Sequence, residues 1–168
     1  ASVRAGFEAV MRGDPDRWDT CRRYVDYLER TRRYAEAIVP VQDWLRRHGP
    51  EEGFDYIAAR TALARLHFTL GRFGDAWDAV EPVVKSWQAG AVGWGALSLE
   101  QIGKQAEALD LAQRLVARYP HSVWTRAVLS EILWHQGRYD EVLDVLAPRG
   151  YFVGTNDWRD PIGQGFAR

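Results

Sequence analysis

One six-residue phrase recurs along this chain at a nearly constant interval. Copies begin at Gly71, Gly103 and Gly137, so that they lie 32 and 34 residues apart, and a weaker copy begins 39 residues earlier, at Arg32. A fixed period of this size is typical of stacked repeats, in which each unit buries its apolar face against its neighbour. Repeat arrays usually bind other molecules and rarely catalyse reactions, so the period constrains both the architecture and the class of function.

The composition is that of a globular protein with almost no net charge. Of the 168 residues, 46% are hydrophobic and 27% are charged, and the formal net charge is −1. Binding to nucleic acid or to an anionic membrane surface needs a basic excess, so neither partner is predicted. No stretch approaches the roughly 18 apolar residues of a membrane-spanning helix, which predicts no membrane insertion. No signal peptide is visible; this favours the cytoplasm, and a periplasmic location stays open if a signal was removed.

Apolar residues recur at helical spacing on both sides of each copy of the phrase. Leu63, Leu66 and Leu70 show this spacing before Gly71, and the glycine ends the helix because it adopts a left-handed turn without steric cost. The pattern predicts four helical hairpins, with helices over residues 18–30 and 34–47, 57–70 and 73–87, 91–102 and 105–118, and 123–135 and 139–147.

These hairpins divide the chain into three parts. Residues 1–17 hold an N-terminal helix, either half a repeat or a cap, residues 18–150 form the array, and residues 151–168 form an irregular tail. The units of the array are residues 18–51, 57–88, 89–122 and 123–150. The longer first interval predicts a loop near residues 51–55, and Gly90 is predicted to end the second hairpin.

The last hairpin carries no visible helical cap. Either the tail covers it through Tyr151, Phe152, Trp158 and Phe166, or the native protein continues. An uncovered apolar end would favour self-association through the end repeats.

The repeated phrase resembles the tetratricopeptide repeat. That family has a glycine at the turn between two helices, an aromatic residue two positions later and an alanine three positions beyond it, over about 34 residues. Gly71, Phe73 and Ala76 match all three positions. Other copies depart at single positions: Arg32 replaces the glycine, Gln105 the aromatic residue and Val142 the alanine. The resemblance extends over residues 18–150 and implies an all-α fold, a right-handed α-α superhelix (a solenoid) of about four hairpins plus the N-terminal helix.

The resemblance also implies where a partner binds, because the first helices of such arrays line a concave groove. One helical stripe of each first helix would face this groove. The candidate partner-binding residues on these stripes are Arg22 and Asp26; Arg65, Phe68 and Thr69; Trp94, Leu97 and Gln101; and Trp124, Glu131, Trp134 and His135. Tryptophan is enriched at binding hot spots. The alternative is that Trp94, Trp124 and Trp134 simply pack between helices.

Motifs that carry chemistry are sparse. The four histidines fall in different repeats without metal-ligand spacing, and no nucleophile motif is present. Cys21 stands beside Arg22 and Arg23, which could lower its pKa, but a lone cysteine is more often inert. The glycine-rich run at residues 90–95 is more typical of close helix packing, or of a softened first turn, than of a nucleotide loop. The sequence therefore predicts no catalytic residue, no metal, no cofactor and no enzymatic activity.

Three functions remain open from the sequence. The first is a non-catalytic scaffold that binds a protein or peptide segment in the concave groove. The second is a structural spacer or docking module of a larger bacterial envelope or secretion assembly. The third is carbohydrate binding on the tryptophan-rich surface. The family's clamp for a peptide carboxylate is not predicted, because the chain has no asparagine before Asn156.

Overall fold

The computed structural model describes residues 3–147. This part of the chain is helical and contains no β-strand. Its helices in chain order are α1 (Val3–Gly13), α2 (Trp18–Arg30), α3 (Tyr34–Arg47), α4 (Phe54–Thr69), α5 (Phe73–Val84), α6 (Ala89–Gln101), α7 (Gln105–Arg118), α8 (Val123–His135) and α9 (Tyr139–Leu146), with a short 3-10 helix at Pro50–Glu52.

Eight of these helices form four hairpins, which we number in chain order: α2/α3, α4/α5, α6/α7 and α8/α9. Each helix packs against the next one along the chain, and the first helices of successive hairpins also contact one another. Each hairpin therefore buries its apolar surface against its neighbours, and the result is an all-α superhelical stack. The fold class predicted from the repeat is confirmed.

The four hairpin turns share one backbone conformation. The turn residue has a positive φ in every hairpin: 58° at Arg32, 71° at Gly71, 85° at Gly103 and 72° at Gly137. The next residue donates its amide hydrogen to the carbonyl five positions earlier, over 2.8–2.9 Å, as in the bond from Arg72 to His67. Glycine enters this conformation freely, whereas an L residue such as Arg32 loses about 1–2 kcal/mol there.

The core depends on small residues where the helices of a hairpin meet. Ala64, Ala76, Ala96 and Ala108 are completely buried. Buried side chains form one cluster mainly in hairpins one and two and another in hairpins three and four. Trp77, Val84 and Trp94 pack against both clusters, so the core continues through the middle of the array.

The segment between hairpins one and two is not the predicted loop. The 3-10 helix covers Pro50–Glu52, and α4 begins at Phe54, before the predicted start at residue 57. Most of the extra length of this repeat is therefore helical.

The junction between hairpins two and three also differs from the prediction. Helix α5 stops at Val84, and Trp87 takes a positive φ of 56° in the connection. Gly90 does not end the hairpin but lies in the first turn of α6. A Cβ atom on Gly90 would stand 3.3 Å from Thr61 Cγ2, so the glycine allows α6 to approach α4 closely.

At the N-terminal end, α1 packs on hairpin one through aromatic side chains. The ring of Phe7 stacks on Tyr24 at 5.7 Å and on Tyr27 at 5.2 Å between centroids. The predicted C-terminal tail, residues 151–168, lies outside the described residues.

Candidate functional site

The first helices are linked by side chains that lie just before the hairpin turns. In each of hairpins one to three, the residue three positions before the turn reaches the first helix of the next hairpin. The contacts are Glu29 with Arg65 at 2.8 Å, Phe68 with Trp94 at 5.3 Å between ring centroids, and Glu100 with His135 at 3.0 Å. The candidate site is therefore a surface formed by the first helices, and it crosses the interfaces between successive hairpins.

The surface begins with charged side chains on α2. Arg22 is half-exposed and pairs with Asp19 at 2.7 Å and with Asp26 at 3.5 Å. The hydrogen bond from Arg22 lowers the pKa of the Asp19 carboxyl. Arg22 and Asp26 thus satisfy each other, and exposed pairs of this kind contribute little to stability.

Hairpin two contributes a more buried ion pair to the surface. Arg65 Nη2 donates to Glu29, whose side chain is only 17% exposed. Burial raises the pKa of the Glu29 carboxyl, and the opposing effect of Arg65 is smaller. Thr69 is exposed, and its hydroxyl donates to the Arg65 carbonyl.

A line of half-buried aromatic rings crosses the middle of the surface. Phe68 and Trp94 lie 5.3 Å apart and Trp94 and Trp124 lie 5.1 Å apart, with tilted planes. Trp124 lies directly on Gly93, where a Cβ atom would stand 2.7 Å from its indole nitrogen. Trp94 and Trp124 therefore pack between helices, which was the alternative interpretation for both. The predicted role of this glycine-rich run in close helix packing is confirmed.

Two other candidates on α6 have different environments. Leu97 is 3% exposed and belongs to the core, so it supports the surface from beneath and offers no open contact. Gln101 is exposed, and its amide donates to Glu100 over 2.6 Å. The sequence stripe placed Leu97 correctly on the helix but could not show which neighbouring side chains cover it.

The most open part of the surface lies at the end of α8. Trp134 is 59% exposed, and Glu131 and His135 beside it are also exposed. The Trp134 ring makes an edge contact with Tyr139, which is 55% exposed. The repeat pattern places an aromatic residue two positions after the turn, which here is Tyr139 at the start of the last predicted helix, but Tyr139 was not among the predicted surface residues.

His135 connects this open end to an adjoining cleft. Its Nδ1 lies 3.0 Å from the buried carboxylate of Glu100. The cleft has a volume of about 530 Å³ and is lined by Gln105, Ala106, Leu109, His135, Gln136 and Arg138. The cleft thus offers both polar and apolar groups, and His135, which lines it, is the residue next to the exposed tryptophan.

The groups with catalytic or metal-binding potential are not gathered at one place. Cys21 is fully buried, and its thiol donates to the Pro40 carbonyl at 3.4 Å. Burial raises the pKa of this thiol to about 12, so the expected lowering by the adjacent arginines does not occur. Residues 3–147 contain no cluster of side chains suited to a metal ion. Over the same residues, no helix combines the length and hydropathy needed to cross a bilayer.

Comparisons with known proteins agree on the repeat. Family models described as tetratricopeptide repeat match residues 61–123 and residues 123–148. No curated protein matches the sequence.

Several solved structures share the fold at low sequence identity. A crystal structure of MamA has a TM-score of 0.67 and 14% identity, over 84% of this chain and 81% of that chain. A tetratricopeptide repeat protein from Parabacteroides merdae ATCC 43184 has a TM-score of 0.65 and 16% identity, over 85% of this chain and 56% of that chain. YrrB, described as a tetratricopeptide-repeat protein with an unusual peptide-binding site, has a TM-score of 0.63 and 14% identity, over 85% and 72%. At these identities the likeness shows the fold alone.

The family models and the fold lead to the same assignment. The two matches together extend from residue 61 to residue 148, which is just over half of the chain. Hairpin one, which lies outside this range, has the same turn conformation, and its first helix also contacts the first helix of the next hairpin. The chain therefore belongs to the tetratricopeptide-repeat family.

Proposed function

We propose that this protein is a non-catalytic scaffold that binds a peptide or protein segment along the first-helix surface, with its principal anchor at the end of α8. The observation that carries the proposal is the exposure of Trp134, which lies between the exposed side chains of Glu131 and His135. A large exposed aromatic side chain with polar neighbours is the usual composition of a binding hot spot. A segment with an apolar side chain beside a basic or hydrogen-bonding group fits this arrangement.

In this proposal the half-buried residues of the surface form the base on which the bound segment rests. Phe68, Trp94 and Trp124 form a rigid aromatic floor because each ring contacts the next. Rigid side chains lose little conformational entropy when a partner binds. The likeness to YrrB, a repeat protein with a described peptide-binding site, supports the class of partner and leaves its identity open.

Peptide selection on the full chain tests the proposal. A displayed random-peptide library is selected on the immobilised protein, and the enriched peptides are measured by titration calorimetry against the wild type, Trp134→Ala and Val39→Ala. Val39 is 55% exposed on α3, a second helix, and serves as the control. Loss of a hot-spot tryptophan weakens binding by about 2 kcal/mol or more, which is at least tenfold in Kd, so Trp134→Ala should show this loss and Val39→Ala should not. Equal affinity of the wild type and Trp134→Ala would rule out the anchor.

The same variants separate this proposal from the spacer function. If Trp134 mainly holds the array together, Trp134→Ala should lower the Tm, and any loss of binding should follow the loss of folded protein. If Trp134 is a binding anchor, the Tm of Trp134→Ala should stay close to that of the wild type.

The carbohydrate function has less support, because Trp94 and Trp124 are half-buried and their ring planes are inclined by 45° to each other. They do not offer two flat exposed faces for sugar rings.

A further inference from the structure

Each first helix carries a line of three residues on one face, which lie 11, 7 and 3 positions before the hairpin turn. In α8 the line consists of Arg126, Ser130 and Trp134. The corresponding residues are Cys21, Val25 and Glu29 in α2, Arg60, Ala64 and Phe68 in α4, and Val92, Ala96 and Glu100 in α6. In hairpins one to three the last member of this line contacts the next hairpin. The line on α8 therefore marks the side on which a further segment would pack.

Arg126 is an exception among the buried side chains of this line. It is 1% exposed, and its Nε has no hydrogen-bond partner among the described residues. Arg126 takes part in none of the ion pairs formed among residues 3–147. Its counterpart Arg60, on the same position in hairpin two, donates from Nε to the Tyr56 hydroxyl at 3.0 Å and from Nη1 to the Ala79 carbonyl at 3.4 Å.

A second unpaired group lies one helical turn from Arg126. Ser130 is 7% exposed, and its hydroxyl oxygen has no hydrogen-bond partner within the same part of the chain. Residues four apart on a helix lie on one face, about 5–6 Å apart at Cβ, so both groups can reach the same small acceptor. An arginine cannot lose its proton in a protein, and a buried charge needs a hydrogen-bonded counter-charge. A carboxylate has two oxygens and can accept from the guanidinium and the hydroxyl together.

The acidic side chains of α9 do not supply this carboxylate. Asp140 and Asp144 are exposed on α9, and Glu141 is engaged by Arg138 at 2.6 Å. The chain continues beyond Ala147 with residues 148–168, which contain two further acidic residues, Asp157 and Asp160.

We propose that Arg126 and Ser130 form a buried carboxylate-binding site on hairpin four, and that its occupant is Asp157 or Asp160 of the same chain. Helices α8 and α9 are joined by a short turn, and Leu146 at the end of α9 lies nine residues after Gly137, whereas Arg126 lies eleven residues before it. The end of α9 is therefore nearly level with Arg126 along the hairpin. Asp157 lies ten positions after Ala147, and an extended chain of that length reaches about 33 Å. The segment is thus attached beside the site, at high effective concentration.

A double-mutant cycle in the full chain tests this assignment. The Tm is measured for the wild type, Arg126→Met, Asp157→Asn, Asp160→Asn and each pairwise combination with Arg126→Met, with Asp144→Asn as an exposed control on α9. One of the two tail substitutions should lower the Tm by several degrees when Arg126 is present and have no effect in the Arg126→Met background, because the coupling belongs to the pair. The control should give the same small change in both backgrounds.

Two results of this cycle would overturn the proposal. The first is that neither aspartate depends on Arg126. The second is a concentration-dependent increase in molar mass that Arg126→Met abolishes, which would identify a second copy of the chain as the source of the carboxylate.

An independent measurement avoids any substitution of Arg126 in the protein under test. In an NMR spectrum of the full chain, the Arg126 Nε–Hε signal should shift and exchange faster with water in Asp157→Asn or in Asp160→Asn, because the acceptor has been neutralised. The signal is assigned by its loss in Arg126→Lys. An unchanged Nε–Hε signal in the double variant Asp157→Asn/Asp160→Asn would also refute the proposal.

Discussion

Hairpins two and four carry the same aromatic pair at their turns, but only hairpin two has another hairpin after it within the described residues. Phe68 and Phe73 meet at 5.0 Å with an interplanar angle of 63°, and Trp134 and Tyr139 meet at 4.9 Å with an angle of 65°. Phe68 is half-buried because Trp94 of hairpin three lies against it, whereas Trp134 is 59% exposed. The same aromatic pair is therefore partly covered by the next hairpin in one case and exposed in the other.

This difference is the basis of the binding surface proposed above, which needs no motif beyond the repeat itself. A residue three positions before a turn is selected for contact with the next hairpin, so it is large or charged, as in Phe68 and Glu100. In hairpin four the same position presents its contact surface to solvent. In the proposed function, a bound segment would cover Trp134 as hairpin three covers Phe68.

The largest expected effect comes from replacing the aromatic residue three positions before the turn in hairpins two and four. Phe68→Ala should lower the free energy of unfolding by about 2–3 kcal/mol, because Phe68 loses contacts with Phe73 and Trp94. Trp134→Ala should lower it by less than about 1 kcal/mol, because most of that ring already faces water. Urea denaturation at neutral pH measures both. Equal losses would mean that Trp134 is covered in solution and that the two hairpins do not differ in this way.

Most of the fold could be predicted from the sequence because each hairpin turn is determined by residues at the turn itself. The predicted bounds of α2, α3, α7 and α8 agree with the structure, since each helix is limited by a turn residue or by a connection that the pattern marks clearly. The errors fall at the start of α4, which begins three residues earlier than predicted, and around Gly90, where glycine serves close packing against Thr61 and does not mark a helix end. A single sequence cannot distinguish these two uses of glycine, because the difference lies in a residue from another hairpin.

The site was predictable only as a set of helix faces. Helical spacing places Leu97 and Trp134 on the corresponding faces of their helices, yet Leu97 is in the core and Trp134 is exposed. Exposure depends on which hairpins lie on either side, and that information is absent from the spacing within one helix. The unpaired Arg126 was visible in principle, as an arginine at a position that is apolar in hairpins one and three.

A second test exchanges a buried residue between the two hairpins. Four positions before the turn, hairpin two has His67 and hairpin four has Leu133. His67 is 7% exposed and its Nδ1 has no hydrogen-bond partner in residues 3–147, since Asp75 lies 3.7 Å away. His67→Leu should therefore raise the free energy of unfolding at neutral pH by about 1 kcal/mol. Leu133→His is the reverse exchange and should destabilise the array.

The pH dependence of the His67→Leu variant checks the cause. Burial lowers the pKa of His67 in the folded protein, with Asp75 opposing this effect and Arg72 reinforcing it. The unfolded chain then binds the proton more readily, so stability from neutral His67 is present above its ordinary pKa of 6.5 and is lost as the pH falls below it. The wild type should lose more stability than His67→Leu between about pH 7.5 and pH 5.5. Parallel losses would show that His67 is not responsible.

The smallest expected effect concerns the turn glycine, which hairpins two and four have and which Arg32 replaces in hairpin one. Arg32 has a φ of 58°, where Gly71 and Gly137 have 71° and 72°, and its side chain is exposed. Arg32→Gly should raise the free energy of unfolding by about 0.5–1 kcal/mol, because relief of the left-handed backbone exceeds the added freedom of the unfolded chain. Arg32→Ala keeps the strained backbone and should leave stability unchanged, whereas Gly137→Ala should lower it. If Arg32→Ala raised the free energy of unfolding as much as Arg32→Gly, the destabilisation would come from the arginine side chain and not from the left-handed backbone. The turn of hairpin one would then be as free of backbone strain as the other three turns.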